Sequence, residues 1–160
     1  MKILGDTIYF DMDGTIADLY GVEGWLDNIL NGNSYPYENA RPLIDLKKFN
    51  EICIELQNKG YKIGVISWLA KNSSKEYDQA VRKAKRNWLK KYLDFTLDYL
   101  HIVPYGKNKT YVGKKNSILF DDENGNIERW QNNGTRIAIK VNGDHTNGKV
   151  IFKELTSLLN

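Results

Sequence analysis

An apolar run that stops abruptly at two acids and a glycine constrains this chain more than any other stretch. Thr7-Ile8-Tyr9-Phe10 reads as a short buried strand, and Asp11-Met12-Asp13-Gly14-Thr15 follows at once. In a strand, residues i and i+2 share a face, so the spacing puts both carboxylates on one side of the strand's carboxyl end. Open α/β sheets bind ligands at that edge. Two adjacent acids repel each other and are costly to desolvate unless a cation or a shared proton compensates. A magnesium site for phosphoryl transfer is the simplest answer, and a plain Asx turn is its rival. A calcium loop fits poorly: Thr15 stands where a third acid or amide is needed, and no later glutamate completes the pattern.

The rest of the chain supplies the frame. At 160 residues it is expected to form a single domain, residues 1–160, with a real core. Apolar content of 41% and charged content of 27% are ordinary for a soluble globular protein, so no fibrous or disordered class is needed. No apolar run reaches the roughly 18 residues of a membrane span. Met1-Lys2-Ile3-Leu4 breaks at Gly5-Asp6, which does not suit a leader peptide. One cysteine, Cys53, cannot form an internal disulfide and suits a reducing cytoplasm. With only His101 and His145 beside it, a zinc centre or a histidine-based triad is also disfavoured. A net charge of +3 is too small to imply nucleic-acid binding.

Strand and helix patterns alternate. After an irregular stretch with a short helical candidate near 22–30, Pro42 is expected to open a helix. Leu43, Leu46, Phe49, Ile52 and Leu56 recur along it at helical spacing, and Asn58-Lys59-Gly60 stops it. A second strand is expected over 62–67, ending in Ser67. A long helix over 75–92 carries Tyr77, Val81, Ala84, Trp88 and Tyr92 on one stripe, with Lys75, Arg82, Lys83, Arg86 and Lys90 opposite. Further strands are expected over 99–103, over 117–120 before Asp121-Asp122, and over 136–141. A last helix covers 149–159. This order predicts an α/β fold, a Rossmann-like three-layer α/β/α sandwich around a mainly parallel five-stranded sheet.

In such a sheet Asp11, Asp13, Ser67, Asp121 and Asp122 collect at one edge, with Lys109 in the segment leading to the fourth strand. Phosphate monoester hydrolysis needs such a collection, because a nucleophile, a metal, a proton donor and a phosphate clamp must act together. Each residue has a bland reading too. Ser67 can be a strand-end hydroxyl, and Asp121-Asp122 can begin a turn at Glu123-Asn124-Gly125. Lys107, Lys114 and Lys115 compete with Lys109. Trp68 can stack on a substrate base, wall the pocket or pack in the core. The basic side of the 75–92 helix reads as a solvated face.

With these motifs in order, the chain resembles the haloacid dehalogenase superfamily of phosphohydrolases. Asp11-Met12-Asp13-Gly14-Thr15, Val65-Ile66-Ser67, a lysine before the fourth strand and Leu119-Phe120-Asp121-Asp122 carry the resemblance. Lys109-Thr110 followed by Asp121-Asp122 is similar to the 5′(3′)-deoxyribonucleotidase branch and to small phage and bacterial proteins related to it. The resemblance implies that Asp11 is the nucleophile and forms an aspartyl-phosphate. It implies that Asp13 is the general acid and then base, its main-chain carbonyl also ligating magnesium. Ser67 and Lys109 would hold the phosphoryl group, and Asp121 and Asp122 would complete the metal site, with Asp122 favoured as the direct ligand.

Residues 16–41 read as a small cap-like insert, shorter than the helical cap of the nucleotidase branch. A short insert leaves the site open to bulky substrates or to closure by a partner subunit. Tyr20, Trp25, Tyr35 and Tyr37 can supply a stacking wall or the insert's own core. The leading expectation is a magnesium-dependent phosphatase acting on a nucleotide or similar small phosphate ester in the cytoplasm. The alternatives are an end-processing phosphatase on nucleic acid and a non-catalytic binding module that keeps the fold. Transfer of the phosphoryl group to an acceptor other than water also stays open.

Overall fold

The computed structural model describes residues 6–160. Met1–Gly5, on which the expectation about a leader rests, lie outside the described residues. Five parallel strands form the central sheet: β1 (Thr7–Phe10), β4 (Lys62–Trp68), β5 (Tyr99–Val103), β6 (Ser117–Asp121) and β7 (Ile137–Lys140). Their order is β5-β4-β1-β6-β7. β1 is therefore central and fully buried, which explains its unbroken apolar run. Phe10 pairs in register with Val65 on one side and Phe120 on the other. The strand after each crossover thus delivers its polar end to the same edge.

Helices cover both faces, as the alternation implies. α3 (Leu46–Asn58), α4 (Lys75–Tyr92) and α6 (Asn147–Leu159) lie on one face. Ile8, Phe10, Ile63, Val65, Ile118 and Phe120 point into that layer, against Phe49, Cys53 and Leu56 of α3, Trp88 of α4 and Ile151 of α6. α5 (Asn124–Gln131) covers the other face, where Trp130 meets Tyr9, Ile66 and Leu119. The alternation of Ile8, Tyr9 and Phe10 between these layers is the period of two expected of a strand. Among the described residues no helix is long and apolar enough to cross a membrane.

Three local expectations need correction. Pro42 does not open a helix; it lies in β3 (Arg41–Pro42), which pairs antiparallel with β2 (Ala17–Asp18). The helix starts at Leu46 because Asp45 caps it, accepting from the Lys48 N–H. Glu123-Asn124-Gly125 is no plain turn but the start of α5, with Glu123 accepting from the Gly125 and Asn126 N–H groups. The last helix begins two residues before Lys149, at Asn147.

The insert is tied at its base by the β2–β3 ribbon. It contains α1 (Trp25–Leu30) and α2 (Tyr35–Asn39), and it packs on α4. Leu19 and Tyr37 are buried there against Leu69, Tyr77, Val81 and Ala84. Trp88 Nε1 donates to the Ala40 carbonyl, fixing the return of the insert to the sheet.

Candidate functional site

Both acids of the first motif lie past the last residue of β1, so strand alternation does not place them. A tight loop does. The Met12 carbonyl accepts from the Thr15, Ile16 and Ala17 N–H groups, and the Met12 side chain is buried in the core. Asp11 and Asp13 are thereby turned toward different cations. Gly14, with φ of 80°, lies against Asp122; a Cβ there would collide with that carboxylate.

Lys109 stands between two acids. Its Nζ lies 2.7 Å from Asp11 Oδ1 and 2.7 Å from Asp121 Oδ2, and the residue is 2% exposed. Burial opposes its charge, but Asp11 and Asp121 together hold its ammonium above the ordinary lysine range. Of the four competing lysines this is the one joined to the acids. The Lys114 Nζ lies over the Tyr99 ring, and Lys115 is exposed. Lys107 contributes its carbonyl, which accepts from Trp68 Nε1.

A second buried lysine escaped the sequence reading. Lys85 of α4 is fully buried, and its Nζ lies 2.7 Å from Asp13 Oδ2, 2.7 Å from Ser67 Oγ and 2.6 Å from the Trp68 carbonyl. It also lies over the Tyr37 ring at 5.0 Å. A signal existed: Lys85 falls four residues after Val81 and four before Leu89, on the apolar stripe of α4 rather than its basic face. Burial pushes the Asp13 carboxyl above the usual carboxylate range, against the pull of Lys85.

Asp121 is held by the protein itself. Its Oδ2 accepts from Lys109 and from Asn126 Nδ2, and its Oδ1 accepts from the Glu123 N–H. Asp122 is less engaged. Burial, then Asp11 and Asp121, raise its pKa to about 8. Asp11, Asp121 and Asp122 each bring a carboxylate oxygen to within 4.8 Å of the others. An all-oxygen donor set of converging carboxylates that resist joint ionisation fits a hard divalent cation such as magnesium.

Trp68 is half-buried beside this cluster. Its ring lies 5.5 Å from Lys109 Nζ and 5.1 Å from the half-exposed Tyr105 ring. On the insert side, Tyr20 is half-exposed. Burial, then the charges of Asp13, Asp122 and Asp11, push its hydroxyl well above the usual tyrosine range. The four insert aromatics divide their work. Tyr37 is core, Tyr20 is half-exposed with Trp25 packed edge-on against it at 4.9 Å, and Tyr35 is half-exposed.

No protein-family model and no curated protein matches this chain.

Proposed function

We propose that this protein is a magnesium-dependent phosphomonoester hydrolase that works through an aspartyl-phosphate on Asp11. The observation that carries the reading is the pairing of three acids and one hydroxyl with two buried lysines at one sheet edge: Lys109 on Asp11 and Asp121, and Lys85 on Asp13 and Ser67. Burying several charges is costly, and a fold retains them where they serve chemistry or specificity. The arrangement agrees with the haloacid dehalogenase resemblance of the motifs.

Asp11, held by Lys109 with Thr15 Oγ1 at 3.4 Å from its other oxygen, would attack phosphorus as the bond to the leaving oxygen breaks. Burial raises the Asp13 pKa, which favours its acid form, and Asp13 would give its proton to that oxygen. Asp13 would then take a proton from the water that displaces phosphate from Asp11. Ser67 and Lys85 would hold the phosphoryl oxygens, Lys85 shifting from Asp13 to the anion. Magnesium, when bound, offsets the repulsion between a carboxylate and an anionic ester. Asp11, Asp122 and the Asp13 main-chain carbonyl would hold it. Asp121, already engaged by Lys109, Asn126 and Glu123, would position Lys109 from behind.

The substrate class that suits this site is a small phosphate ester with a flat, aromatic leaving group, such as a nucleotide. The fixed Trp68 ring and the Tyr105 ring next to it support that reading. The test is hydrolysis of an aryl phosphate by wild type and Asp11→Asn, with magnesium and with chelator. Activity that needs both Asp11 and magnesium is expected. Activity that survives Asp11→Asn or chelation overturns the reading.

A further inference from the structure

Asn147 is fully buried in the first turn of α6, far in sequence from every motif of the site. Its Nδ2 donates to the Gly14 carbonyl at 2.8 Å and to the Thr15 carbonyl at 3.1 Å. Its Oδ1 accepts from the N–H groups of Asn142 and Gly143, both at 3.0 Å, and of Asp144 at 3.3 Å. One side chain thus joins the loop after β1 to the loop after β7. All its hydrogen-bonding capacity is used in doing so.

The two loops it joins are the two walls around Asp122. A Cβ at Gly14 would collide with the Asp122 carboxylate, and a Cβ at Gly143 would stand 3.4 Å from Asp122 Oδ2. Both glycines have positive φ, 80° and 78°, so each loop turns its backbone toward the carboxylate; at Gly14 a side chain would block that approach, and at Gly143 a Cβ would make ordinary contact. The Gly14 carbonyl, held by Asn147, faces the Gly143 wall, 3.8 Å from that Cβ position. β7 enters this loop through the Val141 N–H, which donates to the Asp121 carbonyl.

We propose that Asn147 is the positioning residue of the metal site: it closes the Gly14 and Gly143 loops on Asp122 and so sets the direction in which that carboxylate presents its oxygens. The role rests on the metal reading above and adds to it a residue that touches neither metal nor substrate. Groups that orient a ligand from behind typically tune metal affinity by about 10–100-fold. The amide is required in full. Aspartate at this position keeps the acceptor for three N–H groups but sets an oxygen against two carbonyls.

The test is magnesium binding followed by calorimetry on the metal-free protein, without any assay of activity. Asn147→Ala and Asn147→Asp are expected to weaken binding about ten-fold or more. Leu155→Ala, which removes core packing from the same helix, is the control for lost stability and is expected to keep wild-type affinity. In wild type, the Asn147 side-chain amide resonances are expected to shift on magnesium addition, a reading that needs no variant to fold. Unchanged affinity in the Asn147 variants, an equal loss in Leu155→Ala, or amide resonances indifferent to magnesium would each overturn the proposal while leaving the metal reading intact. A wild-type protein that binds no magnesium would overturn both.

Discussion

Lys85 Nζ stands 2.7 Å from Asp13 Oδ2, a contact between the buried stripe of α4 and the loop after β1, 72 positions apart in the chain. The same nitrogen reaches Ser67 Oγ at the end of β4. One cation therefore sits between the group assigned to proton transfer and the group assigned to phosphoryl binding. Replacing Lys85 by methionine keeps the stem that packs in α4 and removes the charge. Loss of one such donor typically costs about 10²–10³ in kcat. That loss is expected for Lys85→Met in steady-state hydrolysis of an aryl phosphate, with the fold retained by circular dichroism. Near-wild-type turnover would show that Lys85 is structural.

Lys109 neutralises Asp11 and Asp121 in a buried setting. Its replacement by methionine leaves two carboxylates without their counter-ion. Breaking a buried pair in this way costs about 3–5 kcal/mol. Thermal unfolding in chelator is expected to show a large drop in Tm. Magnesium is expected to recover more stability in Lys109→Met than in wild type, because it replaces part of the missing charge.

Asp122 gives the metal-free protein a defined pH dependence. Its pKa is raised from an unfolded value of about 3.9 to about 8, by burial and by Asp11 and Asp121. The folded state therefore binds more protons than the unfolded state between those values. Stability is highest at the acidic end, falls as pH rises, and levels off above about pH 8. Tm in chelator is expected to decrease from pH 5 to pH 8. The gain in Tm from magnesium is expected to grow over the same range, since the cation binds the ionised carboxylates. A chelated protein most stable at pH 8 would contradict the assignment.

The sheet and its polar edge were legible in the sequence because strand ends are fixed by the chain itself. Ser67 and Asp121-Asp122 close apolar runs, and parallel pairing brings such ends together whatever the helices do. Lys85 is not legible as a site residue because α4 is crowded with cations, and its place between Val81 and Leu89 carries no motif. Asn147 was hidden for a different reason. It belongs to the first turn of a helix expected to start at Lys149, and its partners are main-chain carbonyls that carry no residue signature. α5 was missed because Asn124-Gly125-Asn126 are weak helix formers, which Glu123 offsets by capping.

Gly14 is a position where the backbone tolerates no side chain. Alanine there meets both a positive φ and the Asp122 carboxylate. The left-handed conformation alone costs about 1–2 kcal/mol. Gly14→Ala is expected to lose magnesium binding, read by calorimetry, with a modest loss of Tm. Gly134→Ala also carries the strain of a positive φ but meets nothing within 4 Å, and it is expected to bind magnesium normally.

The central claim is that Asp11 carries the phosphoryl group. The most direct measurement is acid quenching of the protein incubated with an aryl phosphate and magnesium, followed by peptide mass analysis. A phosphoryl group on Asp11 is expected, absent in Asp11→Asn and in chelator. Turnover that proceeds with Asp11 unmodified at every quench time, or a phosphoryl group on another residue, would contradict the account.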